Sequence, residues 1–389
     1  MKLLRFEYAV RNLGRSPSRA IASVLGSGLV ALLMVAASAF VGGMNRGLSV
    51  DHENRNVMLL GAGSEESIER SEITAGAAGI AEASIPGVQQ LFGVSYVSPE
   101  CHMAVVVRPS KDAHEEWQAS FRGVKDAAFL VHPKVQLVDG RAPRPGQNEI
   151  MAGSLAAARL GVSDSRLAVG QTLWFDERLW TITGRFVAPG TVMDAEFWMP
   201  LEDLMVATKR TTISTVTMTL APDGDFADVD AFAKQRLDLE LVALPEGAYY
   251  AKLMNFYGPI RMMIWVTAGL VALGGFFGGL NTMFAAFASR VRELATLQTL
   301  GFSRLAIVVS MIQESLLASM SGALIAIVAA FFLLDGAAVK ISMGAFGLSI
   351  DATAVVVGLL AGLGLGILGT LPPAWRCLSP EIPAALRSA

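Results

Sequence analysis

The chain has 389 residues, 53% of them hydrophobic and only 17% charged, with a formal net charge of −3. A soluble domain usually carries about 25% charged residues, so an evenly mixed globular composition is excluded, as is a basic nucleic-acid-binding one. The apolar residues gather in four long blocks, one near the start and three near the end, around a middle of ordinary soluble composition.

Residues 1–19 predict an amphipathic elbow helix. Leu3, Phe6, Val10 and Leu13 form one apolar stripe, with Lys2, Arg5, Glu7, Arg11 and Asn12 around it. Such a helix lies in the inner membrane interface, its basic residues near anionic headgroups. Ser16-Pro17 then gives an N-cap followed by proline at the first helical position. No charge interrupts the chain between Arg19 and Arg46, which predicts a transmembrane helix over 20–43. The run is longer than the roughly 7–15-residue core of a signal peptide, and Ser38 and Phe40 make no small-residue cleavage site. The segment is therefore expected to be retained.

Residues 44–259 predict an α+β soluble domain. The β-branched run inside Met103–Arg108 predicts a strand. Thr172–Phe175 and Leu179–Val187 predict a hairpin about Asp176-Glu177-Arg178. Gly153–Leu160 and Asp225–Leu239 predict helices, the second capped by Asp225. Trp174, Trp180 and Trp198 are expected in the core. Residues 61–84, rich in Gly, Ser, Glu and Ala, are expected to be the least ordered part or a polar helix.

Three further spans follow. The second covers 260–288 and carries two overlapping small-xxx-small pairs, Gly274/Gly278 and Gly275/Gly279. Residues 289–303 predict a short amphipathic helix, with Leu294, Leu297 and Leu300/Gly301 alternating with polar groups. Gly301 is placed to stop it in the left-handed conformation, and Ser303 to cap the next helix. The third span, 305–334, is interrupted only by Glu314. Residues 335–351 form a short loop, 352–373 the fourth span and 374–389 a tail. Gly358, Gly362 and Gly366 repeat the small-residue spacing and, with the four glycines of the second span, mark helix-packing or dimer faces.

Orientation follows from the basic residues of the short flanks. Arginines and lysines outnumber acids in 1–19, in 289–304 (Arg290, Arg292, Arg304 against Glu293) and after Pro373 (Arg376, Arg387 against Glu381). With four spans these three flanks share the cytoplasmic side. Residues 44–259, with a net charge of −9, and the loop 335–351 are then outside.

Catalytic motifs are missing. There is no G-x-x-x-x-G-K-[ST], no H-E-x-x-H and no G-x-S-x-G. Cys101 and Cys377 fall on opposite sides of the membrane and cannot pair. Cys101-His102 with His114 lacks the second close ligand pair that a metal site needs; His52 and His132 complete the histidines. Glu314 is an intramembrane acid and so a functional candidate, although a helix-pairing or snorkelling role is favoured.

One span, a large outer domain and three more spans resemble the permease subunits of the MacB/FtsX/LolC class of ABC transporters. The resemblance is carried by Asn281-Thr282-Met283 leading to Arg290, by Arg292-Glu293-Leu294, by Leu300-Gly301-Phe302-Ser303-Arg304 and by Glu314-Ser315. Phe302 stands where the family more often has alanine. In the outer domain it is carried by Asp139-Gly140-Arg141, Asn148-Glu149-Ile150-Met151-Ala152-Gly153, Val169-Gly170-Gln171 and Ile182-Thr183-Gly184; Ala9-Val10-Arg11-Asn12-Leu13 resembles the family's elbow.

The resemblance implies a multi-pass protein of the bacterial inner membrane with its large domain in the periplasm. It implies that 289–303 is a cytoplasmic coupling helix, with Arg290, Arg292, Glu293, Thr296, Thr299, Leu300 and Gly301 as the residues that couple to an ATPase. ATP and Mg would sit on that partner, a dimer of cytoplasmic ABC ATPase subunits, and this chain would hold no cofactor. A second permease subunit, identical or different, is implied, with room for a periplasmic adaptor, an outer-membrane factor or a lipoprotein. The expected activity is mechanotransmission for export or for lipoprotein or lipid release. The alternative is a signalling permease that regulates a cell-wall hydrolase.

Overall fold

A computed structural model describes residues 6–47, 55–341 and 344–383. Lys2, Leu3, Arg5, His52 and Arg387 lie outside these residues. The chain divides into two compact units. One holds the long apolar helices; the other holds Gly43–Gly258 together with Ala338–Gly347.

In the helical unit an elbow helix (Phe6–Arg15) is followed by the first span helix (Pro17–Gly47), with Pro17 at its first position. The second span helix is Gly258–Ala288 and the third Arg304–Leu333. The fourth, Ala352–Leu368, turns at Gly369 and Thr370 into a tail helix, Leu371–Leu378. All four long segments are apolar enough to cross a bilayer.

The third span is the hub, because its small residues let neighbours approach. Ala318, Gly322, Ala326 and Ala330 recur every fourth residue and are buried. A methyl group on Gly28 of the first span would lie 3.1 Å from the Gly322 carbonyl oxygen, so these two backbones cross in contact. On the outer side, the Asp351 carboxylate caps the fourth span by accepting from the Ala354 N–H at 2.9 Å, and Asp335 accepts from the Ile350 N–H at 2.9 Å.

The second unit is built on one ten-stranded sheet. Its strands are β1 (Asn56–Gly61), β2 (Val97–Val107), β3 (Trp117–Val124), β4 (Gln136–Gly140), β5 (Glu149–Gly153), β6 (Thr172–Phe175), β7 (Arg178–Val187), β8 (Phe197–Pro200), β9 (Thr215–Thr219) and β10 (Leu241–Pro245). They lie in the order β10-β1-β9-β2-β3-β8-β5-β7-β4, with β6 paired to β7. The sheet has two halves joined by one long strand. Val97–Glu100 of β2 pairs with β9, and Cys101–Val107 pairs with β3. β1 is buried at every position and reads as an apolar run, the pattern of a strand covered on both faces.

The expected hairpin is present. Asp176 and Glu177 take φ of 48° and 56°, the left-handed pair that a two-residue turn between twisted strands needs. Trp180 and Trp198 are fully buried, whereas Trp174 is half-buried, with the Lys111 ammonium 6.0 Å from its ring centroid. Asp225 caps its helix by accepting from the Ala227 N–H at 3.0 Å.

Three expectations change. The strand over Met103–Arg108 is the second half of the longer β2, because Pro99 and Glu100 do not interrupt pairing at this junction. The helix expected over Gly153–Leu160 is only Ala156–Leu160; Gly153 ends β5 against the backbone of Met193 and Asp194, where a methyl group would clash. Residues 61–84 do not form a polar helix. Ala77–Ser84 is a helix whose Ala77, Ala78 and Ala81 enter the core. The loop 335–351 also holds an antiparallel hairpin, Ala338–Ile341 with Gly344–Gly347.

Where the two half-sheets meet, the core is charged. Glu100, wholly buried, accepts from Arg122 Nη1 at 2.7 Å and faces His102 Nε2 at 3.2 Å and His132 Nε2 at 2.7 Å. Arg122 also forks onto Glu196, with Nε to Oε2 at 2.8 Å and Nη2 to Oε1 at 3.1 Å. Trp198 Nε1 donates to Glu196 at 3.2 Å. Asn56 Nδ2 donates to the buried Glu246 at 2.9 Å, and His132 Nδ1 lies 3.9 Å from that carboxylate. Burial of this many charges is tolerable only because each is paired and hydrogen-bonded.

Candidate functional site

The segment between the second and third spans is a complete short helix with a defined stop. After Ala288 the chain turns through Ser289 and Arg290 into a helix over Val291–Thr299. It ends in a Schellman motif: the Phe302 N–H reaches the Leu297 carbonyl at 3.2 Å and the Gly301 N–H reaches Gln298 at 3.0 Å. Gly301 has φ of +87°, a conformation a branched residue strongly resists. Two residues on, the Ser303 hydroxyl accepts from the Ala306 N–H at 3.2 Å and starts the third span. Only Phe302 separates the stop from the next cap, so the helix is tied directly to the third span.

One face of this helix is packed. Leu294 and Ala295 are buried, and Leu294, Leu297 and Phe302 join a cluster with Phe287, Ile307, Met311, Ala374, Cys377 and Leu378. The second span, the third span and the tail helix thus all hold it. The opposite face shows Arg292, Thr296, Thr299 and Leu300 to solvent. Leu300 departs from its expected stripe. The helix ends at Thr299 and six residues of helical rotation carry Leu300 away from Leu294, leaving it 68% exposed.

The charged residues of the segment do not all point outward. Arg290 Nε donates to Glu293 Oε2 at 3.1 Å, and its Nη1 to Glu314 Oε2 at 3.1 Å. Glu293 also accepts from the Tyr8 hydroxyl at 3.0 Å and lies 3.4 Å from Arg15. Burial pushes the Glu293 carboxyl up, but the hydrogen bonds from Arg290 and Tyr8 outweigh this and hold it below its ordinary range. Of the residues expected to couple, Arg292, Thr296, Thr299 and Leu300 share the open face, while Arg290 and Glu293 are taken up inside the chain. Glu314 is joined to Arg290 and to the Asn12 amide.

The glycine faces divide. Gly358, Gly362 and Gly366 are used within the chain. A methyl group on Gly358 would come 2.6 Å from Val35 Cγ2, one on Gly362 2.7 Å from Ala323 Cβ, and one on Gly366 2.5 Å from Ser319 Oγ. Of the four glycines expected to pack in the second span, Gly275 meets Val30, whereas Gly274, Gly278 and Gly279 have nothing within 4 Å. Ala268, Ala286 and Phe287 are the buried residues of that helix among those described.

Sequence reading missed Tyr8 and Asn12 as partners of the segment. The signal available was the spacing of Tyr8, Asn12 and Arg15 along one helix face. It also missed the Gly28–Gly322 crossing, because neither glycine has another glycine four residues away.

Residues 20–235 match the model of the MacB-like periplasmic core domain, and residues 265–382 match that of the FtsX-like permease C-terminal domain. Among solved structures, the chain is similar to the periplasmic region of MacB from Actinobacillus actinomycetemcomitans, at 11% identity and a TM-score of 0.38, covering 52% of this chain and 93% of that one. It is also similar to the extracellular domain of the noncanonic ABC-type transporter YknZ from Gram-positive bacteria, at 15% identity and a TM-score of 0.37, covering 49% of this chain and 99% of that one. No curated protein matches the chain. With its four apolar spans and the mixed α/β domain that follows the first of them, the chain belongs to the MacB/FtsX family of ABC transporter permeases, multi-pass membrane proteins with an extracytoplasmic domain whose ATPase is a separate subunit.

Proposed function

We propose that this chain is the transmembrane subunit that carries ATP-driven motion from a cytoplasmic ATPase dimer to the outer domain, for export or for release of a lipoprotein or lipid. The observation that carries the reading is the helix Val291–Thr299, stopped by Gly301 and packed on two spans and the tail helix, with Arg292, Thr296, Thr299 and Leu300 on its open face. A short helix fixed in this way moves with the spans. A displacement applied to its open face then becomes a displacement of the second and third spans. We place the chain in the bacterial inner membrane, paired with a second permease subunit across Gly274, Gly278 and Gly279, whose face is open within the protomer.

The test is reconstitution. The purified chain alone is expected to hydrolyse no ATP, and addition of its ATPase subunit is expected to give hydrolysis that depends on the chain. Substrate leaving the membrane in step with hydrolysis identifies transport. Hydrolysis that instead activates a cell-wall hydrolase, with nothing moved, identifies a regulator. Robust hydrolysis by the chain alone would overturn the reading.

A further inference from the structure

The elbow helix has two opposed faces. Phe6 and Val10, with Leu13 close to them on the helix, form its apolar stripe, and Phe6 and Val10 are exposed. Tyr8, Asn12 and Arg15 lie on the other side, successive turns apart. It is this polar side that meets the rest of the unit. Asn12 is only 6% exposed, and Ala9 beside it is fully buried. A basic helix resting on a membrane surface buries its apolar side and leaves the polar one to water. Here a polar amide is buried, so it must be satisfied by protein.

Its partner closes a circuit. The Tyr8 hydroxyl donates to Glu293 Oε1 at 3.0 Å. Glu293 accepts through its other oxygen from Arg290, which also donates to Glu314. Glu314 accepts from Asn12, back on the elbow helix. Five side chains from the elbow helix, the segment 290–293 and the third span thus form one ring. With Arg15 at 3.4 Å from Glu293, two guanidinium groups face two carboxylates, and the group is neutral overall.

We propose that Tyr8 and Asn12 are positioning residues for the coupling helix, and that the elbow helix is its further support beside the spans and the tail helix. The inference rests on the coupling reading above. Through the Tyr8–Glu293 link, displacement of the coupling helix reaches the elbow helix and, past Ser16, the first span at Pro17, without passing through the second or third.

The test uses the full chain in lipid nanodiscs, with a spin label at Thr296→Cys on the open face and, separately, at Val206→Cys in the outer domain. Cys101 and Cys377 are both buried and leave little background. Tyr8→Phe removes one hydroxyl and keeps the ring; Asn12→Leu removes the amide. Each is expected to mobilise the label at Thr296 and to leave the one at Val206 unchanged. Combining Tyr8→Phe with Glu293→Gln is expected to add nothing beyond the larger single effect, since both cut the same link. With the ATPase subunit present, maximal stimulation is expected to fall about tenfold, the equivalent of one hydrogen bond to a charged group. Measured in the unlabelled variants, the subunit concentration giving half stimulation is expected to hold, because the open face is then untouched. An unchanged spectrum at Thr296 in both variants overturns the proposal. A mobilised label with full stimulation upholds the positioning role and instead overturns the coupling function of the segment.

Discussion

His132 Nε2 lies 2.7 Å from Glu100 Oε1, inside the outer domain. Both side chains are buried, and Arg122 and His102 reach the other oxygen of the same carboxylate. Burial pushes the Glu100 carboxyl up, but His132 and Arg122 outweigh it and hold it well below the carboxylate range. Glu196 is likewise held down by Arg122 against its burial. Burial, with Arg122 adding to it, lowers the His102 imidazole below its ordinary value.

These directions give the pH dependence of stability its sign. A carboxyl with a depressed native pKa contributes stability that is complete above its unfolded value, about 4.3 for glutamate, and lost as pH falls towards the native one. The fold makes His102 harder to protonate, so its contribution is complete above about pH 6.5 and is lost as pH falls below that. The solubilised chain is therefore expected to melt earlier in two steps on acidification, first below about pH 6.5 and again below about pH 4.3. Fluorescence of the buried Trp180 and Trp198 follows this. His102→Gln should remove the upper step; a profile flat from pH 8 to 4 would show that the cluster does not govern stability.

Arg122→Met tests the same cluster by removing its central cation. Glu100 and Glu196 then face each other's charge without the guanidinium that joins them. Breaking a buried pair from one side costs about 3–5 kcal/mol. The outer domain is expected to lose most of its thermal stability, and adding Glu196→Gln should restore part of it.

Gly301→Val places a branched residue at φ of +87°, at a cost of about 1–2 kcal/mol. The Schellman stop is lost and the helix swings relative to Ser303. The protein should still insert in the membrane, while stimulation of the ATPase and transport fall together. Full activity in both assays would mean that residues 291–303 serve only as a connection.

Gly362→Leu and Gly278→Leu separate packing within the protomer from packing between protomers. At Gly362 an added Cβ meets Ala323 Cβ at 2.7 Å and the Ser319 carbonyl oxygen at 3.2 Å; at Gly278 an added Cβ meets nothing within 4 Å. Overpacking a close helix contact costs roughly 1–3 kcal/mol. Gly362→Leu is expected to lower the melting temperature of the purified subunit. Gly278→Leu should leave it unchanged and weaken only self-association, seen by crosslinking in membranes. Equal effects on melting would refute the division.

Topology is tested by cysteine labelling. Val206 is 62% exposed, and a cysteine there should react with an impermeant maleimide added to whole cells. One at Thr296, exposed on the helix Val291–Thr299, should react only after permeabilisation.

Several features are legible in the chain alone because they depend on local chemistry. Four apolar runs are transmembrane wherever else they pack, since a bilayer leaves no other way to satisfy the backbone. The left-handed stop at Gly301, the caps at Ser303 and Asp225 and the turn at Asp176-Glu177 each involve neighbours within a few residues. Tertiary structure decided what depends on distant partners. Tyr8 and Glu293 are 285 positions apart, and nothing local in either says that they meet. Glu100 and His132 lie in stretches that read as ordinary strand and loop; only the meeting of two half-sheets on β2 makes them a buried ion cluster. The equally spaced glycines of the second and fourth spans are indistinguishable in sequence. They part company in space because the third span lies against one face and leaves the other open.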